Sequence, residues 1–426
     1  MTTEVNTRSA SPTKMNAVSI MALALMSMGF SVTTPAMSQL AAHFAGTGVN
    51  VSLVSQAYAF TFVPCCLIAG ILVGNKIRYK WISFFGVLMM LVFGVLPAFL
   101  PDPSFGTLVL CRCLFGVGIG AMNPVGKGLV LALYSDTKQA RMLGLYTTFT
   151  NIGGIIMQQL GGFLAGASAD MGWQLHYFGY FFLIIGVIFS LFLPDPPITA
   201  KTVDKDSKEA KGKLGIACVL AGLLMLCVNL FNQPVFMGLS VFTKNILDIA
   251  GDPNSVTNAP IISAQAMTCY TIAGMIIGIV YGSMYKALKR WILPVGLFLG
   301  LIGYIFASIA STDAGQIWQI FAATILIGIA FGVILPGAFQ IVGVHTSPIR
   351  LGLATAITIA IFNCATFLAS FWLQLLAGGV AENSMTVPTL HMSAFIGIFV
   401  YAVLAIILCI VNPFKKTAKE LAREAE

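Results

Sequence analysis

The residues able to do chemistry in this chain are polar side chains inside long apolar stretches. Arg112 and Asn123 stand 11 residues apart, three helical turns, and therefore share one face of a helix. Lys127 follows on a neighbouring angle. No Asp or Glu falls inside any apolar stretch. A buried cation then needs backbone carbonyls, water, or a ligand that brings negative charge. A guanidinium holds a carboxylate through two parallel hydrogen bonds. Arg112 accordingly either binds an anionic substrate or is held by carbonyls and serves gating. Lys127 either snorkels to the cytoplasmic interface or faces the inner mouth of a cavity. Asn229, Asn232 and Gln233 place three amides on one helix just before Pro234, a set suited to a polar ligand. Asn151 belongs to a stripe with Thr147, Thr150 and Gln158. Further stripes are Ser27, Ser31, Thr34 and Ser38, and Thr355, Thr358 and Thr366. Such hydroxyls line a cavity or bond their own and neighbouring helices. With Gln265 added, the expected substrate-binding set is Arg112, Asn123, Lys127, Asn151, Asn229, Asn232, Gln233 and Gln265.

Other chemistries find no support. His43, His176, His345 and His391 lie in loops or at the ends of apolar stretches, without the look of a central proton relay. Cys65-Cys66 and Cys111-x-Cys113 lack zinc-site spacing and read as small apolar residues. No phosphate-cradling loop with its lysine occurs, which argues against an ATP-driven pump. No catalytic residue, metal or cofactor is expected, and the protein is not expected to be an enzyme.

The elements that must position these residues follow from composition. Only 9% of 426 residues are charged, against roughly 25% in soluble domains, and mean hydropathy is +0.91. So few charges cannot cover a soluble globule, which excludes a soluble α/β enzyme, a disordered chain and a disulfide scaffold. A transmembrane helix needs about 20 mostly apolar residues. Twelve stretches qualify: 17–38, 52–74, 81–100, 107–133, 143–165, 174–193, 214–241, 263–285, 291–310, 316–338, 352–377 and 392–411. The first is expected to be a span and not a cleaved signal peptide. All 23 Lys and Arg except Lys244, Arg112 and Lys127 fall on one side if the N-terminus is cytoplasmic. Both termini are therefore expected inside, and the net charge of +8 is a topology signal with no nucleic-acid patch.

The polar stretch 194–213 divides the chain into an N-terminal six-helix half (1–193) and a C-terminal half (214–411), with a cytoplasmic tail at 412–426. The halves repeat. Gly70, Gly74 and Ser55 match Gly278, Gly282 and Ser263 at an offset of 208, while Gly116, Gly120 and Pro124 match Gly328, Gly332 and Pro336 at 212. Parallel six-helix repeats place a substrate site between the halves near the bilayer midplane.

On these motifs the chain resembles the major facilitator superfamily. Gly70-Ile-Leu-Val-Gly-Asn-Lys-Ile-Arg-Tyr-Lys80 is similar to the family's loop 2–3 signature, with Gly74 and Asn75 where an acid is usual. Arg112-x-x-x-Gly116-x-Gly118-x-Gly120 resembles its span-4 motif. Gly144, Gly153 and Gly161-Gly162 match the span-5 antiporter spacing, with Met157-Gln158 replacing its Gly-Pro. Pro35 to Phe44 resembles the first helix end of many exporters, without the span-1 carboxylate of proton-driven drug exporters. The resemblance implies twelve helices in two pseudo-symmetric halves, spans 1, 4, 7 and 10 lining a cavity, and gating by Gly70, Gly74, Asn75, Arg78, Arg141, Gly153, Gly161 and Gly162. Arg112 would then be the family's structural arginine.

The expected function is transport of a small organic solute, a carboxylate anion being the preferred class, by a monomer in the plasma membrane, as in a bacterial inner membrane. A coupling ion or exchanged anion is a further partner. The alternatives are an exporter of hydrophobic drugs or metabolites, which 31 Phe and 19 Met would suit, and a receptor that signals without turnover.

Overall fold

The computed structural model of the protein describes residues 14–73, 77–134, 136–194, 216–311, 316–345, 351–379, 384–411 and 413–414. The expected gate residues Gly74 and Asn75, both chain ends and nearly all of the 194–213 stretch lie outside the described residues.

The first helix set comprises α1 (Lys14–Met26), α2 (Met37–His43), α3 (Leu53–Gln56), α4 (Tyr58–Leu72), α5 (Tyr79–Phe99), α6 (Phe105–Leu133), α7 (Asp136–Gly166), α8 (Gly172–Leu175) and α9 (Leu183–Ser190). The second comprises α10 (Ile216–Ile249), α11 (Ser255–Leu288), α12 (Ile292–Ile309), α13 (Ile317–His345), α14 (Leu351–Leu376) and α15 (Val387–Ile410). Among the described residues the only β-type pairing is one isolated bridge, Val73 to Ile77. Helix is what a bilayer demands, because backbone polar groups must be satisfied within the segment.

Where it is described, each of the twelve expected stretches falls on helix, α or 3-10, over most of its length. By length and apolarity nine helical segments among the described residues are able to cross a membrane, ten if the bent pair Lys14–Met26 and Gly29–His43 is one span. Two expected stretches are not separate in this count. The 31-residue α7 is long enough but carries the polar stripe, and α11 with α12 forms one 55-residue apolar segment, Ser255–Ile309.

Two spans depart from the simplest helix geometry in opposite ways. The first span bends by 41° after Met26, where 3-10 turns at Gly29–Val32 and Thr34–Ala36 replace α-helix around Gly29 and Pro35. Pro234 does not break its helix: α10 runs through it from Ile216 to Ile249. A proline costs one backbone donor, a loss that packed neighbours in a bundle compensate.

The sets repeat in their packing. A Cβ on Gly116 would run into the Tyr58 carbonyl, and one on Gly120 would come within 2.6 Å of Phe62 O. Gly328 meets the Tyr270 carbonyl and Gly332 would lie 2.7 Å from Gly274 O in the same way. All four pairs, 116/328, 120/332, 58/270 and 62/274, share the offset 212. The packing therefore relates α4 to α11 one helical turn away from the 208 offset suggested by Gly70 and Gly278. Glycine is required there because the helix axes approach to carbonyl contact.

Candidate functional site

Arg112 is 2% exposed and sits inside the first set. Its Nε donates to Val54 O (2.7 Å), Nη1 to Tyr180 Oη (2.5 Å), and Nη2 to Thr33 Oγ1. The guanidinium carbon lies 5.5 Å from the Phe115 ring centre and 5.4 Å from that of Tyr180. One cation thus ties the first span, α3, α6 and the His176–Phe182 turn together through neutral acceptors. His176, expected at a span end, is fully buried in the same cluster, with Nε2 3.2 Å from Thr33 Oγ1. Its sequence position at the start of a span gave no sign of that burial.

A second polar centre runs between the sets. Gln56 Nε2 of α3 donates to Gln233 Oε1 of α10 at 3.0 Å. Gln233 Nε2 donates to Asn229 Oδ1 at 3.1 Å. Asn229 Nδ2 donates to Phe362 O (2.9 Å) and Thr366 Oγ1 (2.7 Å) on α14. Gln56 is the member that sequence reading missed; a buried amide in an apolar stretch was the available signal. The Gln56 Oε1 atom has no hydrogen bond. Asn232, 5% exposed, accepts from Tyr304 Oη (2.7 Å) and Tyr401 Oη (3.0 Å) at Oδ1, while Nδ2 is without a partner. Asn232 faces a small cavity lined also by Val235, Phe236, Leu239, Tyr270, Thr324 and Ile327. A buried amide left half-satisfied is costly.

The remaining expected residues separate by position. Asn123 and Asn151 are half-buried and Lys127 is exposed, and none of the three makes a hydrogen bond or ion pair among the described residues. Gln265 is not brought to the others. It is exposed on the same face of α11 as Ile272 and Ile279, one and two heptads away, and these are 38% and 72% exposed.

The side-chain hydrogen bonds and glycine contacts between the two sets gather toward one end. At the far end Gly162 of α7 packs on Ala264 and Pro260 of α11, and Gly166 on Ile261. Hydrogen bonds close this end: Ser38 to Ser240 (2.7 Å), Gln39 Nε2 to Val256 O (3.0 Å), Asn50 Nδ2 to Ser370 O (2.9 Å) and Gln159 Nε2 to Thr268 Oγ1 (2.8 Å). At the opposite end, which carries Arg78, Lys80, Lys138, Arg141, Lys286, Lys289 and Arg290, a Cβ on Gly70, Gly144, Gly278 or Gly282 would meet nothing within 4 Å. Among the expected gating residues, Gly153 and Gly161 lie over the Leu25 and Val32 carbonyls of the first span, Gly162 belongs to the far-end contact, and Arg78 and Arg141 are exposed at the basic end.

Long apolar helices around a polar seam, bonded across toward one end, define a polytopic membrane protein. The sequence profile of the Major Facilitator Superfamily matches residues 20–264, more than half of the chain, and the protein belongs to that family. Its fold is similar to that of a point variant of the nucleoside transporter NupG, with a TM-score of 0.74 and 14% identity over 94% of this chain and 100% of that one. It is also similar to a bacterial homologue of the human lysosomal transporter Spinster in an inward-facing, occupied conformation, with a TM-score of 0.70 and 15% identity over 95% and 97% of the two chains. Among curated proteins, the sphingosine-1-phosphate transporter SPNS2 of Danio rerio is 22% identical over 147 residues, 34% of this chain and 29% of that protein. The chain thus aligns with less than a third of that relative's length. The family and these relatives are transporters, not enzymes.

Proposed function

We propose that the protein moves a small organic anion, with a carboxylate the simplest case, by alternating access between its two helix sets. The observation that carries the class is Lys127. It is an exposed cation within α6, one turn from Asn123, with no carboxylate or hydrogen bond against it among the described residues. A cation within a membrane-spanning helix calls for a counter-charge, and a substrate supplies one in the absence of a buried acid. Arg112 is assigned differently: its bonds to Val54, Tyr180 and Thr33 make it a strut of the first set. The neutral row Gln56–Gln233–Asn229 then receives the polar body of the substrate between the sets. Asn151, half-buried on α7 without a hydrogen bond, is a further contact on this path.

On the positive-inside rule the basic end is cytoplasmic, so the conformation described is open inward and both termini lie inside. The membrane is the plasma membrane and the working unit a monomer. Moving one negative charge against 100 mV costs about 2.3 kcal/mol, so uptake of an anion requires a coupled cation or exchange, whereas export does not.

A second reading, export of apolar compounds, is favoured by the ring-lined walls of the seam, where Phe30 stacks on Tyr58 at 4.8 Å and Phe236, Tyr270, Phe331 and Phe362 follow one another at 5.5–6.1 Å. Counterflow in proteoliposomes against carboxylates and neutral analogues separates the two. Lys127→Gln is expected to weaken carboxylate transport about tenfold, and Lys127→Arg to keep most of it. Equal transport of neutral analogues, untouched by Lys127→Gln, would replace the anion reading with the second one.

A further inference from the structure

The turn between α11 and α12 builds a pocket that the transport path does not use. Lys286, Lys289 and Arg290, all exposed, line an open cavity of about 840 Å³ together with Tyr285, Trp291 and Phe414. Among the described residues no Asp or Glu lines it. Lys289 has φ 48°, a left-handed conformation that is strained for a lysine and turns the chain so that three cations face one space. The Arg290 guanidinium carbon lies 4.7 Å from the centre of the exposed Trp291 ring. The far wall is brought in from the C-terminal segment. His345 Nε2 at the end of α13 is 2.8 Å from Pro413 O, and Phe414 sets its ring edge-on to Tyr285 at 5.3 Å. In the sequence Lys415 and Lys416 follow at once.

Two further features point to the ligand. Trp291 and Tyr285 sit at the basic end of the bundle, and such rings favour the headgroup level of a bilayer. Along α11, Ile272, Ile279 and Lys286 recur at seven-residue spacing on one exposed face, so an apolar track leads from the bundle's side to the cations. A soluble anion has no use for that track, whereas an acyl chain does.

We propose that this pocket binds the phosphate of an anionic phospholipid, headgroup on Lys286, Lys289 and Arg290 and chain along Ile279 and Ile272. The shared chemistry is phosphate recognition by clustered cations in the absence of an acid, as basic pockets at the membrane surface provide. The proposal is independent of the transported substrate.

The test is native mass spectrometry of the full chain purified in mixed micelles of phosphatidylglycerol and phosphatidylcholine. The expected result is retained phosphatidylglycerol, bound about tenfold more weakly by the K286Q/K289Q/R290Q variant. The R78Q/K80Q variant, altered in the matching loop of the first set, should retain it fully. Inorganic phosphate at millimolar concentration should not displace the lipid. Equal retention by the two variants would overturn the pocket in favour of diffuse attraction at the basic end. Full displacement by inorganic phosphate would overturn the lipid source and leave a soluble phosphate site. A further arm is Lys289→Gly, which removes one cation at the positive-φ position; it is expected to lower affinity less than the triple variant, and a loss as large would overturn the three-cation account.

Discussion

The two helix sets share a packing frame and differ at its polar centre. In the first, Gly116 and Gly120 let α6 lie on the Tyr58 and Phe62 carbonyls; in the second, Gly328 and Gly332 let α13 lie on those of Tyr270 and Gly274. The same offset of 212 maps Arg112 onto Thr324. Where the first set holds a guanidinium bonded to three groups, the second has a short hydroxyl bonded to its own helix, at 3.0 Å from Ile320 O, beside the small cavity that Asn232 faces. The first set is thus braced internally by its buried cation. The second leaves one amide nitrogen free. Backbone approach is what the repeat preserves, and the polar contents of the frame are free to diverge into a strut on one side and a half-satisfied site on the other.

Breaking the strut should have the largest effect. Arg112→Ala removes charge-assisted hydrogen bonds and strands Tyr180 and Thr33, so a loss of about 3 kcal/mol or more is expected, seen as a large fall in the melting temperature of the detergent-purified protein. Arg112→Lys should recover part of it without a change in substrate affinity; a selective loss of affinity in a stably folded Arg112→Lys would return the arginine to the substrate site.

Next in size are the glycines. Gly116→Ala and Gly328→Ala should each cost about 1–3 kcal/mol, because both push a methyl group into a backbone carbonyl. Gly278→Ala, where the space is open, should be close to neutral in the same thermal assay. Unequal costs at Gly116 and Gly328 would mean that the packing frame is not shared.

Asn229→Ala should act on binding more than on stability. It removes the hydrogen bonds to Phe362 and Thr366 and frees Gln233, an effect of about 0.5–1.5 kcal/mol on substrate affinity by ligand-dependent thermal shift. The smallest effect is Thr324→Val. It loses a hydroxyl that bonds only its own helix, and stability should change by about 0.5 kcal/mol at most, in contrast to Arg112 at the matching position.

The helical membrane fold was legible because it rests on run length and charge placement, which depend on no distant contact. That the amides of α10 need polar partners was legible for a related reason, since they are polar groups in an apolar run. Gln56 carried the same signal and was not weighed; what left no local trace is its pairing with Gln233, 177 residues away across the seam. His176 and Tyr180 likewise meet the first span only through tertiary packing. Gly29 and Pro35 stand at the bend after Met26, yet whether such residues interrupt a helix is decided by neighbours, as the unbroken passage of α10 through Pro234 illustrates. Arg112 showed its burial in the sequence but not its acceptors.

The central claim is that the two sets rock about the polar seam, closed now at the far end and open at the basic end. Spin-label distances in lipid nanodiscs test it most directly, with one label pair at G144C/G282C on the basic end and another at D170C/N254C on the far end, all four positions being exposed. The far-end bonds of Gln39 and Asn50 are then removed by Q39A/N50A, which takes away their hydrogen bonds to Val256 O and Ser370 O. The account predicts that the far-end distance lengthens while the basic-end distance shortens. Distances that stay fixed, or that change in the same sense at both ends, would contradict it.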